Sequence, residues 1–326
     1  MNTLRTGVVG VGHMGVNHAR IYSEIEGSQL AAVYDRDLDH ARHVAKKYRT
    51  HAAATLEEFA ELVDAATICT PTVTHHEVGK FLLERSKHLL IEKPIADTPQ
   101  AARELAELAA ERNCVLQVGH IERFNPVLAA LEAKLKNPRF LEVTRLSPYP
   151  DRSTDIGVVL DLMIHDIEII LHLVRSPIVS MDPVGIAALS KGEDIANVRF
   201  RFENGCVANV TASRISRDKV RKIRVFQEDA YLSLDYQKQD GVIFTLKDGK
   251  NGKKEIKREK VEILRGEPLK MELESFIQCA REGGQPKVSG RQAADALDIA
   301  LEITRQIEAA DPRKGQPLLT PPDLTL

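Results

Sequence analysis

Cysteine is scarce in this chain of 326 residues: Cys69, Cys114, Cys206 and Cys279 stand far apart, with no C-x-x-C pair and no histidine at metal-finger spacing. That excludes a disulfide framework or a zinc module and leaves four reduced thiols in or near the core, with no metal expected. An excess charge of one sign is also missing. The 45 Lys and Arg nearly cancel the 47 Asp and Glu, leaving a formal charge of -2, so no global field gathers nucleic acid or anionic lipid as a partner. No apolar stretch approaches the roughly 20 residues that cross a bilayer, and residues 1–15 lack the charged segment, apolar run and cleavage site of a secretory signal. The expectation is a cytoplasmic protein without a membrane partner. No repeat of 20 to 50 residues and no low-complexity tract is present.

What is there reads as a folded protein of about twice the usual domain length, with 43% hydrophobic and 28% charged residues, 15 prolines and 19 glycines. Two domains are expected, over residues 1–122 and 123–326. In the first, short apolar runs alternate with longer stretches of helical period: strands at 5–9, 30–34, 66–69, 88–91 and 115–118, helices at 14–24, 38–48, 76–86 and 99–112. This is the α/β pattern of a doubly wound parallel sheet, the Rossmann arrangement. In the second, 198–202, 206–212, 222–225, 231–235 and 242–246 read as strands of a large, mostly antiparallel sheet, broken by the turns Asn204-Gly205 and Asp240-Gly241. The stretch 247–260 lacks apolar content and is expected to be a mobile hairpin or loop. Helices at 269–281 and 290–309 complete an α+β domain.

Gly10-Val11-Gly12-His13-Met14-Gly15 follows the first strand and opens the first helix, the context that a dinucleotide fingerprint requires. Gly10 serves the tight turn, Gly12 the approach of a pyrophosphate and Gly15 close packing of helix on strand, with the free N–H groups around His13 and Met14 holding phosphate. The bland reading is an ordinary glycine-rich turn. Asp35, 20 residues beyond Gly15 and at the end of the second strand, weighs against it. Its carboxylate would accept the ribose hydroxyls of NAD and repel a 2'-phosphate. Arg36 could stack on adenine or meet that phosphate, so NADP stays the lesser alternative. Two further segments sit at strand ends, where open α/β sheets bind ligands: Thr70-Pro71-Thr72 with His75 nearby, and Glu92-Lys93-Pro94, in which proline stops the strand and holds Lys93 at the cleft. A solvated Glu-Lys pair is the competing reading.

With these three motifs at these positions, the chain resembles the glucose-fructose oxidoreductase, inositol dehydrogenase and MocA family over nearly its whole length. The resemblance implies that Lys93 sits beside nicotinamide and substrate, that the other named residues of the first domain line the cofactor, and that a histidine in a helix of the second domain completes the site. Residues 157–172 supply a candidate helix. On an ideal wheel Asp161, His165, Glu168 and His172 share a sector of about 60° among apolar neighbours. From the residues alone the seam could be mutually satisfied structural groups, a metal site or a catalytic face. The four spread over about 16 Å of axis, against joint chelation. The family pattern of Asp, three residues, His matches Asp161 and His165 and implies catalysis, with Glu168 and His172 structural. Many relatives carry consecutive glycines before this helix, where Val158 and Val159 stand here, implying a narrower, stiffer substrate approach.

The stretches Gly119-His120-Ile121-Glu122-Arg123-Phe124-Asn125-Pro126 and 147–157 resemble the subgroup of UDP-N-acetylglucosamine 3-dehydrogenases. That likeness implies an NAD-dependent oxidoreductase acting on a CH–OH group. It also implies substrate contacts from Lys93, Arg123, Asn125, Tyr149, Arg152, Asp161 and His165, and a homodimer or homotetramer through the second sheet. Forked guanidinium groups suit a diphosphate, and Arg123, Arg145 and Arg152 flank the expected cleft. The basic run 214–224 alternates like a strand with one charged face. It is read as a solvated or protected edge, with a phosphate contact from Arg214 or Arg217 as the sharper alternative. Oxidation of a free sugar or inositol would need none of these arginines, and a non-catalytic NAD(H) sensor would need no acid–base pair.

Overall fold

Six apolar strands of the first half, β1 (Leu4–Val9), β2 (Ser28–Tyr34), β3 (His51–Ala52), β4 (Ala65–Ile68), β5 (His88–Glu92) and β6 (Leu116–Gly119), form one sheet in the order β3-β2-β1-β4-β5-β6 with every pairing parallel. The molecule is a computed structural model that describes residues 3–149, 156–248 and 253–310. The crossovers are α1 (His13–Tyr22), α2 (Leu38–Tyr48), α3 (Leu56–Leu62), α4 (His75–Glu84) and α5 (Pro99–Glu111). Asp37, Thr55 and Thr98 cap α2, α3 and α5 by accepting from the N–H three residues on, which fixes where each helix starts. The strand order reverses between β1 and β4, so the carboxyl ends of these strands open the crevice in which such sheets take ligands. The doubly wound arrangement read from the alternation is present; β3 and α3 are additions too short to stand out in the sequence.

The second half contains α6 (Pro126–Glu132), β7 (Pro138–Leu146), α7 (Ile164–Val174), β8 (Ile178–Ile186), β9 (Ile195–Phe202), β10 (Val207–Ser213), β11 (Val220–Gln227), β12 (Ala230–Asp235), β13 (Asp240–Asp248) and β14 (Lys254–Lys260). Its eight strands run in the order β14-β13-β12-β11-β7-β10-β9-β8, antiparallel throughout except for β7 against β10. Alternate residues such as Val143, Val210, Ile223 and Leu234 are buried on one face. Of the hairpin or loop expected at 247–260, the hairpin is what forms: its arms are the end of β13 and β14.

The chain then returns to the first sheet. Leu269, Leu273, Phe276 and Ile277 of α8 (Pro268–Glu282) join Val8, Tyr22 and Val33 in one buried cluster, and α9 (Gly290–Ala310) packs on α5 and α7. Val118 donates to the carbonyl of Val288 at 3.0 Å, covering the β6 edge. In space, then, part of the segment beyond residue 123 belongs to the core of the first half. No helix of the described residues is long and apolar enough to cross a membrane.

Several buried charges of the second half are held in ion pairs. Arg214 lies fully buried, its Nε donating to Asp194 Oδ1 at 2.8 Å and its Nη1 to the carbonyl of Ile156 at 2.6 Å. Asp194 also accepts from the N–H groups of Ala188, Leu189 and Ser190, and this set of donors lowers its pKa to about 2 against the penalty of burial. Arg214 is therefore a strut for two loops, neither a solvated edge nor a phosphate contact. Replacing it with Leu strands a buried carboxylate and should cost about 3 kcal/mol of unfolding free energy, measured by urea titration; a loss below about 1 kcal/mol would contradict the strut.

Candidate active site

The glycine turn has the geometry of an anion cradle. Gly10 takes φ +83°, and a Cβ there would lie 2.8 to 2.9 Å from Thr70 and the Cys69 main chain, so the turn and the 70–72 loop close on each other. At Gly15 a Cβ would meet the Gly10 carbonyl oxygen at 1.9 Å, whereas at Gly12 it would meet nothing within 4 Å. The space above Gly12 is open, and α1 begins there with no side-chain cap, so the first-turn N–H groups at His13, Met14 and Gly15 are available to an anion. Asp35 Oδ2 accepts from the Val11 N–H at 2.9 Å and Oδ1 from the Asp37 N–H at 3.0 Å, holding the carboxylate at the rim of the turn; Arg36 beside it is exposed. These residues fit a dinucleotide. Pro71 and Thr72 border the same crevice, Thr72 opening a short helical turn.

His75 is placed differently from expectation. Buried, it sets its two ring nitrogens 2.8 Å from the carbonyl oxygens of Pro94 and Thr70, leaving neither for a cofactor. It fastens the ends of β4 and β5 together. Glu92 is likewise engaged below the site: its Oε1 lies 3.1 Å from Nε2 of buried His18, and its Oε2 accepts from the Lys93 N–H at 3.3 Å. His18, Cys69 and Glu92 have ligand-type atoms within 4.8 Å of one another. Burial and the nearby Glu92 and Glu272 hold the Cys69 thiol well above its ordinary pKa, which disfavours the thiolate a metal would need.

Lys93 leaves the end of β5 and crosses to the second half. Its Nζ donates to the Asp161 carbonyl at 2.6 Å and to Asp161 Oδ1 at 3.3 Å. Asp161 sits in a wide π turn, Val159–Met163, in which the Ile164 N–H reaches back five residues to the Val159 carbonyl before α7 proper begins, a device often found at functional sites. The turn is pinned by Glu193, which accepts from the Val159 N–H at 3.1 Å and lies where any side chain on Gly157 would stand. Val158 and Val159 are fully buried, so they pack the core and do not narrow the approach.

The π turn also breaks the ideal wheel. The four polar residues expected on one seam go to four partners: Asp161 to Lys93, His165 to the ring of His120, Glu168 to Arg123 and His172 to Glu132. His165 is 8% exposed, and its ring meets that of His120 edge-on at a centroid distance of 5.6 Å. Burial, then Lys93 and Arg145, hold its pKa well below the ordinary imidazole value. His120, fully enclosed, is pushed down to about 3 by burial, Lys93 and Arg123. Both rings are therefore neutral at physiological pH. Because Glu92 pairs with Gly119 across β5 and β6, Lys93 and His120 leave adjacent strands side by side.

Several expected substrate contacts are occupied within the protein. Arg123 is buried, donating to Glu168 Oε1 at 2.7 Å and to the Lys287 carbonyl at 3.4 Å; burial pushes the Glu168 carboxyl up to about 7. Asn125 caps α6 and donates to Glu122 and the Tyr236 carbonyl. Arg145 grips Asp166 with Nε and Nη2 at 2.8 Å each and reaches Glu122 Oε1 at 3.0 Å with Nη1. The expected contact of Arg123 and Asn125 with substrate is thus replaced by ion pairing and capping. Tyr149 is 42% exposed, with its hydroxyl 2.9 Å from Ser190 Oγ. Arg152 lies outside the described residues. Sequence reasoning missed Glu122, Asp166 and the packing of His120 on His165; the position of His120 at the strand end after Gly119 was the one available signal.

Comparison with known proteins is consistent with this geometry. Residues 4–120 match the family described as oxidoreductase family, NAD-binding Rossmann fold (GFO/IDH/MocA), and residues 129–233 match the GFO/IDH/MocA C-terminal domain. A UDP-N-acetylglucosamine 3-dehydrogenase of Acidithiobacillus ferrooxidans is 36% identical over 94% of this chain and 98% of its own length. A solved structure of that protein superposes with a TM-score of 0.89 over 95% of this chain and 99% of the other. A myo-inositol 2-dehydrogenase of Thermotoga maritima is 26% identical over 94% of this chain and 96% of its own. A levoglucosan dehydrogenase in complex with NADH and levoglucosan shares the fold at a TM-score of 0.84 and 17% identity, over 94% of this chain and 97% of the other.

Two outcomes follow from the site. Gly12→Ala should leave the melting temperature within a few degrees of the parent while weakening binding of a nicotinamide dinucleotide at least tenfold by calorimetry. Gly15→Ala, which meets the Gly10 carbonyl, should destabilise the fold itself; identical behaviour of the two variants would contradict the cradle. The low pKa of His120 means that the unfolded chain takes up a proton first as pH falls. Stability contributed by its neutrality is full above pH 6.5 and is lost as pH falls toward about 3, amounting to about 2 kcal/mol by pH 5. Thermal unfolding of His120→Gln should accordingly depend less steeply on pH between 7 and 5 than that of the parent, and parallel slopes would refute it.

Proposed function

The chain belongs to the GFO/IDH/MocA oxidoreductase family, and on that premise we propose that it oxidises the 3-hydroxyl of UDP-N-acetylglucosamine to a ketone, with NAD preferred to NADP. It is a sugar dehydrogenase of that family with a Rossmann domain for a nicotinamide cofactor. The observation that carries the reading is the 2.6 Å contact between Lys93 Nζ and the Asp161 carbonyl, which gathers an ammonium, a carboxylate and a neutral imidazole where the glycine turn would deliver the cofactor. The substrate class is supported by the full-length similarity to the Acidithiobacillus enzyme, and the cofactor preference by Asp35 at the end of β2.

When bound, the nicotinamide accepts the hydride from the sugar carbon. The carbon's hydroxyl must lose its proton as the carbonyl forms, and His165, neutral in its buried setting, takes it as general base. Lys93 donates a hydrogen bond to the oxygen as negative charge develops there, and Asp161 orients the ammonium. The roles of Lys93 and His165 could be exchanged without changing the balance. Gly10 to Gly15 with Asp35 would hold the dinucleotide, with Thr70 to Thr72 bordering it. The reading includes a cytoplasmic homodimer or homotetramer formed through the uncovered face of the second sheet. There Phe226, 38% exposed, stacks on Tyr231 at 4.6 Å, and Tyr231 on Phe244 at 5.4 Å. Oxidation of a free sugar or inositol is the second reading, favoured by the inositol dehydrogenase similarity and by the burial of Arg123 and Arg145.

The test is the appearance of the reduced-nicotinamide absorbance with UDP-N-acetylglucosamine, its uronic acid, and free sugars and inositol offered in parallel, each with NAD and with NADP. Lys93→Met and His165→Ala should keep cofactor binding and lose at least a hundredfold in turnover. Activity on a free polyol alone, or normal turnover in both variants, would overturn the proposal.

A further inference from the structure

Three arginines near the cleft are consumed by buried partners: Arg123 by Glu168, Arg145 by Asp166 and Glu122, Arg214 by Asp194. Arg221 is in a different position. It stands at the start of β11 directly opposite Arg145 of β7, on the strand face shared with buried Ile223 and Val225, so its side chain heads inward at the end of the sheet nearest the site. Its Nη1 donates to Glu122 Oε1 at 3.0 Å, the oxygen that also receives Arg145. Glu122 and Arg145 retain 5% and 4% side-chain exposure, Asp166 1%, and Arg221 34%. Arg221 is where this buried charge network meets solvent.

That point lies beside the reacting groups. Glu122 follows His120 by two residues, and the His120 ring packs on His165. Asp166, gripped by Arg145, is the neighbour of His165 in α7. The positive charge of Arg221 is felt at His165, where it helps to lower the imidazole pKa. A guanidinium has five N–H donors in a planar fork. Glu122 fixes one arm, which reduces the conformational freedom lost when a ligand binds the rest of the fork, and part of the side chain stays open to solvent.

We propose that Arg221 is a substrate-binding residue that grips a phosphate oxygen of the nucleotide-sugar diphosphate, so that a site otherwise equipped for a neutral sugar selects an anionic one. This rests on the nucleotide-sugar reading above. Glu122 is a positioning residue for it, and Arg145, held by Asp166, keeps Glu122 in place.

The experiment is steady-state kinetics with UDP-N-acetylglucosamine and inhibition by UDP alone, on the parent, Arg221→Gln and Arg221→Lys. For Arg221→Gln we expect KM to rise at least tenfold with a much smaller fall in kcat, and the UDP inhibition constant to rise in proportion. Arg221→Lys, a point charge without the fork, should fall between. Unchanged KM and UDP inhibition in both variants, with the parent active on the nucleotide sugar, would overturn the assignment while leaving the proposed function standing. A loss shared equally by kcat, NAD affinity and melting temperature would also overturn it, since a merely structural arginine behaves so. A parent that ignores UDP and all nucleotide sugars but oxidises a free polyol would remove the functional reading, and this assignment with it.

Discussion

Everything in the site depends on one ammonium spanning two halves of the molecule. Lys93 follows β5 and ends on Asp161 in the π turn before α7, so the gap between the two halves is bridged here by the length of one side chain. Both ends of that span are braced. Behind Lys93, Glu92 is held by His18 and the Pro94 carbonyl by His75; behind Asp161, Glu193 holds the Val159 N–H. Such supports matter because reacting groups must be held to within a fraction of an ångström for efficient transfer. The return of α8 into the first core makes the two halves share packing as well as a polar contact.

The electrostatic setting explains a division of labour. His165 has cations around it, Lys93 and Arg145 foremost, and among the described residues no carboxylate is bonded to its buried Nδ1. It is a weak base that stays unprotonated. In the proposed reaction a weak base would suffice if the alcohol is made more acidic at the moment of reaction, which a hydrogen bond from Lys93 to the developing alkoxide would accomplish. The carboxylates that might have made the imidazole a stronger base, Asp166 and Glu122, are instead turned toward Arg145.

The alternation of apolar runs made the first sheet legible, and the three strand-end motifs located its ligand crevice, because both signals are local. Lys93, Asp161 and His165 were singled out through the family pattern, and spacing alone carried no signal that Lys93 would meet Asp161. The arginines were not. Arg123, Arg145 and Arg214 find partners 45, 21 and 20 residues away, and a buried cation paired across such a distance looks in sequence like a cation offered to a ligand. The polar seam misled for a different reason: the wheel assumes 100° per residue, and the π turn at Val159–Met163 shifts Asp161 relative to everything after it. The strands β7 and β8 passed unnoticed because charged or proline positions interrupt their alternation.

Burying several ion pairs beside the candidate site carries a desolvation cost that apolar packing would avoid, so their presence calls for a physical reason. Arg145, Asp166, Glu122 and Arg221 form a continuous chain from the back of α7 to solvent. Each link has a fixed direction, which apolar contacts lack. An apolar filling would hold α7 against the sheet with comparable strength but would leave its rotation about the helix axis less defined. In the proposed mechanism that rotation would set whether His165 meets the substrate. The charge network thus defines an orientation, and the stability it forgoes is the physical counterpart of that definition.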